Sequence, residues 1–97
     1  MKNIRERAKA IAKKLSAIID VDDELKSEAV ARLSHQLAIA EQAQEMLEND
    51  GLTIDGKFGP KPHPAINIGY NATALSLRLF NQLDVDKHQK EEFLNLG

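Results

Sequence analysis

AINIGYNATALSLRLFNQL, residues 65–83, decides the fold, because Arg78 is its only charge. Read with a 3.6-residue period, Ile68, Ala72, Leu75, Leu79 and Leu83 form one apolar stripe, and Ile66, Tyr70, Ala74 and Leu77 form a second. A period of two also fits the opening, where Ile66, Ile68, Tyr70, Ala72 and Ala74 alternate as a strand would. The segment is long for a strand, and its Ala and Leu content favours helix. A helix that is apolar on two sides needs neighbours on two sides, which a monomer of 97 residues does not readily provide. One side is therefore expected against a preceding helix. The other is expected to meet a second subunit, with Ile66, Ile68, Tyr70, Ala72, Leu75, Leu79 and Leu83 as the oligomer interface.

Upstream lies the proposed packing partner, a helix expected from about Asp23 to Asn49. Its stripe is Leu25, Ala29, Leu33, Leu37, Ala40 and Leu47, with Gln44 as a polar interruption. Good helix formers dominate, and Asn49-Asp50-Gly51 ends the helix, with Gly51 as the left-handed cap residue. Between the two helices, Asp55-Gly56 reads as a type I′ turn flanked by Leu52-Thr53-Ile54 and Lys57-Phe58, a small β-hairpin. Pro60, Pro62 and Pro64 then keep the chain extended, and Pro64 suits the first turn of a helix. His63 is expected to end that loop and to cap the following helix through its ring or backbone.

The first segment is a basic amphipathic helix over residues 1–20. Ile4, Ala8, Ile11, Leu15 and Ile18 recur at helical spacing, and Lys2, Arg5, Lys9 and Lys13 gather opposite them. Asp20-Val21-Asp22-Asp23 interrupts the pattern, with Asp22 as the N-cap of the next helix. Residues 87–97 are read as a short C-terminal helix carrying Phe93 and Leu94. The expected architecture is all-α and forms a single oligomeric domain over 1–97. An antiparallel helical hairpin (21–86) is its oligomerisation core, flanked by short helices and interrupted by the hairpin and proline-rich loop.

Composition narrows the function. Hydrophobic residues make up 42% and charged residues 29%, which excludes the disordered class. With no Cys or Trp, disulfides and thiolate metal sites are excluded, and Ala, Leu and Ile must build the core. The lack of Cys agrees with a cytoplasmic setting. No apolar run approaches the roughly 20 residues of a membrane span, and the N-terminal stretch lacks the apolar core of a secretory signal. His35 and His88 have no second ligand at helical spacing, so no metal is expected. No Ser, His and acid set has motif spacing, and Asp55-Gly56-Lys57-Phe58-Gly59 lacks the Walker spacing. Neither catalysis nor a cofactor is therefore expected.

The net charge of −2 conceals an asymmetry. Residues 1–19 hold six cations against Glu6 alone, and the remainder holds seven cations against fourteen acids. Lys2, Arg5, Lys9 and Lys13, flanked by Arg7 and Lys14, are the candidate contacts to DNA phosphates. An ordinary solvated face is the alternative. Asn3 is the only nearby amide, so no base-reading set can be named. Docking of this helix on an anionic membrane is the weaker option, because Trp and Phe anchors are missing from its apolar face.

The ordered set Glu48-Asn49-Asp50-Gly51-Leu52-Thr53, then Lys61-Pro62-His63-Pro64-Ala65-Ile66, then Leu83-Asp84-Val85 resembles one family of phage terminase small subunits. Members of that family carry a Gly-Leu-Thr … His-Pro-Ala-Val stretch between two helices and a Leu-Gly-Leu end to the second. The resemblance runs from about Asp20 to Asp86. It implies a non-enzymatic DNA-packaging accessory of the host-cell cytoplasm. Such a protein forms a homo-oligomeric ring, binds double-stranded DNA at the packaging start and presents it to the large-subunit motor. The alternative is a helical protein–protein interaction module without DNA affinity.

Overall fold

A computed structural model describes residues 3–19 and 24–83. Three helices, α1 (Ile4–Ile18), α2 (Glu24–Asp50) and α3 (Ala65–Gln82), account for most of them. A two-stranded ribbon, β1 (Thr53–Gly56) and β2 (Gly59–Pro62), joins α2 to α3. The expected N-cap at Asp22 and the expected C-terminal helix over 87–97 lie outside the described residues.

Helix α1 starts at Asn3, whose side-chain oxygen accepts from the Glu6 backbone N–H at 2.8 Å. That bond satisfies a donor the helix leaves unpaired. Helix α2 is the axis. At about 1.5 Å per residue its 27 residues span about 40 Å, and the molecule is correspondingly elongated, with a longest extent of 52 Å. Both other helices pack on α2. Helix α3 returns along it, because Gly69 near its start lies against Ala43 while Phe80 near its end joins Val30, Leu33 and Leu37. The main apolar cluster adds Leu15 and Ile19 from the end of α1, so all three helices meet around Phe80.

Serving two neighbours, α2 buries more than one stripe. Leu33 and Leu37 are buried as expected, together with Val30, Ser34, Ala38 and Ala43. Leu25, expected in the stripe, is exposed instead, since it lies in the first turn, before the helices converge. Buried Ser34 and Ser76 donate to the carbonyls of Val30 and Ala72 one turn back (2.7 and 2.8 Å), so neither hydroxyl is orphaned.

The segment with two possible periods is helical throughout, and the stripe it buries is neither expected one. Ala65, Ala72, Ser76 and Phe80 face inward. These are mostly small residues, which let α3 lie close to α2. One interface assignment is thereby corrected, and two others are partly used within the subunit. Ala72 is buried within the subunit, and Leu79 and Leu83 pack against the subunit's own core. Ile66, Ile68, Tyr70 and Leu75 remain exposed.

The ribbon turns two residues later than the turn signal suggests. Asp55 and Gly56 belong to β1, and the turn is Lys57-Phe58, with Gly56 opposite Gly59. A Cβ on Gly56 would lie 2.8 Å from the Gly59 carbonyl oxygen, and Gly59 itself has φ +118°. The two glycines bracket the turn because one must admit a close backbone and the other a left-handed φ. Gly51, at φ +83°, ends α2 in the same left-handed region.

His63 fastens the ribbon to both helices. Its Nδ1 accepts from the Ala65 backbone N–H at 3.0 Å, which leaves Nε2 to donate to Asp50 Oδ2 at 2.9 Å. Its backbone N–H donates to the Leu52 carbonyl at 2.9 Å. One side chain thus caps the start of α3 and holds the end of α2.

Candidate nucleic-acid interface

The cations of α1 separate into an outer row and two side chains with other surroundings. Arg5, Lys9 and Lys13 recur every four residues and are exposed. The row spans about 12 Å along the helix, at 1.5 Å per residue. Among the described residues none of the three enters an ion pair. Three neighbouring positive charges held at an open surface raise the local potential and attract a polyanion.

Arg7 is not part of that row, which corrects its place among the expected DNA contacts. It is only 4% exposed, and its guanidinium donates Nη1 to Glu41 Oε1 at 2.6 Å and Nη2 to Glu45 Oε2. A planar guanidinium presents parallel N–H donors, so it suits two carboxylates one helical turn apart on α2. This clamp holds the start of α1 to the later half of α2 and uses up the charge. Hydrogen bonding to Glu45 holds the Arg7 guanidinium above its ordinary pKa, and the same bond holds the Glu45 carboxyl below the usual carboxylate range.

A pH dependence follows. The Glu45 pKa is lower folded than unfolded, so its contribution is present above the unfolded value and is lost as pH falls through the folded one. Thermal melts from neutral to acid pH should show this loss in the native protein. In Arg7→Gln the acid limb should flatten. An identical acid limb in both proteins would remove the clamp from the stability of the fold.

Lys14 occupies a third environment. It lies about 180° around the helix from Arg5, at 100° per residue, and it lines a cavity of about 1070 Å³ between α1 and α3 with α2 as floor. The lining is mainly apolar and includes Ile18, Leu47, Ile66 and Tyr70, with Glu41 at the edge. Lys2 lies outside the described residues.

Ile66 and Tyr70 line this cavity and are exposed, whereas the exposed Ile68 and Leu75 lie on the opposite side of α3, at 100° per residue. Tyr70 is 74% exposed and Ile68 51%, both high for large side chains so near a core. At the far end of the ribbon Phe58 is 95% exposed, with the Lys57 ammonium 5.5 Å from its ring centroid.

Sequence reasoning missed a further basic feature. Arg32 and His35 on α2 and Arg78 on α3 line a second, shallower cavity of about 570 Å³, with Gln36 and Gln82 beside them. Arg32 and His35 sit one turn apart, as do Arg78 and Gln82. Each pair was visible at helical spacing, but nothing in either showed that the two would meet.

Among the described residues no group of three or more His, Cys, Asp or Glu is placed to hold a metal ion, and no helix is long and apolar enough to cross a membrane. No family model, curated protein or solved structure matches this chain.

Proposed function

We propose that this protein is a non-catalytic DNA-packaging accessory of the terminase small-subunit type. Its exposed α1 row binds the phosphates of double-stranded DNA in the host cytoplasm, and several copies present that DNA to a large-subunit motor. The observation that carries the reading is the row of Arg5, Lys9 and Lys13, without an ion pair among the described residues and held outward because Arg7 anchors the opposite side of the helix. The order of the Gly51-Leu52-Thr53 and His63-Pro64-Ala65 segments between two helices supports the family reading. Phosphate contacts of this kind supply affinity and orientation rather than base recognition.

Self-association is the second half of the reading. It rests on Ile66 and Tyr70, exposed at the rim of the apolar cavity, and on Ile68 and Leu75, exposed on the other side of α3. Large exposed apolar side chains at the rim of an apolar cavity mark an interaction site. Repeating a three-cation row around a ring would convert weak single contacts into strong binding by avidity.

The cavity between α1 and α3 also favours a second reading, a helical interaction module whose partner is another protein. Two measurements separate them. Light scattering at high micromolar concentration should return a closed oligomer, and the protein should be retained on duplex DNA at low salt and released as salt rises. A strict monomer would overturn the ring. Absence of DNA retention at low salt, together with capture of a helical partner, would favour the interaction module.

A further inference from the structure

We infer that the cleft lined by Arg32, His35 and Arg78 is a phosphate-binding site, separate from the α1 row. Two guanidiniums contributed by different helices open onto one concavity, and among the described residues no acidic side chain lines it. Among the described residues neither arginine enters an ion pair. Glu28 lies one turn before Arg32 on α2, at a spacing that permits a pair, yet the two are not joined. Arg7 is satisfied by two carboxylates, whereas among the described residues these two arginines have none.

The donor set matches a tetrahedral oxyanion. Each guanidinium offers a planar fork of N–H donors, the amides of Gln36 and Gln82 can donate beside them, and His35 adds a further ring N–H. Leu75 and Leu79 on α3 line the same cleft and lower its polarity, which strengthens a charge-assisted hydrogen bond. A lysine patch would attract phosphate as point charges, whereas two arginines set in a cleft can bind it bidentately. The phosphate can belong to the DNA backbone or to a free phosphate compound. The first source rests on the DNA-binding reading above, and the second does not.

The test uses the full chain, inorganic pyrophosphate and a short labelled duplex. Pyrophosphate, compared with sodium chloride at matched ionic strength, should raise the thermal midpoint and shift the arginine side-chain NMR signals of Arg32 and Arg78. Arg32→Gln/Arg78→Gln should abolish the rise in midpoint without altering the fold, since both side chains are exposed. Arg5→Gln/Lys9→Gln/Lys13→Gln should leave both responses to pyrophosphate unchanged. Arg32→Lys/Arg78→Lys, which keeps charge but not the fork, should restore only part of the midpoint rise.

With duplex DNA, the Arg32→Gln/Arg78→Gln variant should lower the log–log salt slope by about 1.8, two phosphates at about 0.9 each, if the backbone is the source. An unchanged slope with the pyrophosphate response intact assigns the cleft to a free phosphate compound, and the site stands. Loss of all DNA binding by the unmodified protein would end the DNA reading while the pyrophosphate response still upheld the cleft. If pyrophosphate moves neither the midpoint nor the Arg32 and Arg78 signals, the phosphate site is wrong.

Discussion

Phe80→Ala should cost about 3–5 kcal/mol and lower the melting temperature by on the order of 20 °C. Phe80 is fully buried and clusters with Leu15 of α1, Ile19 at its C-cap, and Val30, Leu33 and Leu37 of α2. Its ring is the shared contact of all three helices, and aromatics are only 4% of the chain, so no neighbour of similar volume can fill the space. The cost has two parts, the lost transfer of the ring from water and the cavity that remains. Circular dichroism melts measure it directly. A change below about 1 kcal/mol, the range of a volume-conserving swap, would mean that the three-helix junction is not the core.

Gly69→Leu should be the second most damaging single change, at about 1–3 kcal/mol by overpacking. A Cβ built on Gly69 would stand 3.3 Å from the Ala43 methyl carbon, so even alanine requires a small retreat of α3. Gly69→Ala should be close to neutral. It gains up to about 1 kcal/mol of helix propensity and spends it on that contact. Leucine adds three more carbons at that contact and must push α3 from α2 or turn into the cavity that Gly69 and Ala43 both line. In a double-mutant cycle, Ala43→Gly should make Gly69→Ala favourable, with an interaction energy of about 0.5 kcal/mol or more. Strict additivity would contradict close approach at this point.

These two positions show where the sequence was legible. Helix α2 was expected over 23–49 and runs from Glu24 to Asp50, because strong helix formers and the Gly51 cap leave little choice. Residues 65–83 were readable as a helix but not as a helix of known facing. The large side chains Ile68, Leu75 and Leu77 drew the expected stripes outward. The real contact uses Ala65, Ala72 and Ser76 to bring α3 close to α2, and Phe80 to fill the junction. Hydrophobic periodicity weights size, whereas close packing of helices selects for smallness. A segment with almost no charge gives no polar face to break the tie.

The site was legible to the same degree. Arg5, Lys9 and Lys13 followed from the period of α1 alone. Arg7 did not, since its role depends on Glu41 and Glu45, 34 and 38 residues away. Two acids four apart on the partner helix were the available signal, and only the antiparallel packing of α1 on α2 brings them to the arginine. The pairing of Arg32 with Arg78 across α2 and α3 depended likewise on the register between those helices, which no local pattern sets.

The decisive measurement is the salt dependence of duplex DNA binding by the full chain, set against Arg5→Gln/Lys9→Gln/Lys13→Gln. If the outer row of α1 neutralises phosphates, the variant should keep its helicity and its oligomeric state. Its log–log slope should be shallower by about 2.7 per binding chain, three phosphates at about 0.9 each. Equal slopes and equal affinities for the two proteins would contradict a DNA-binding role for α1.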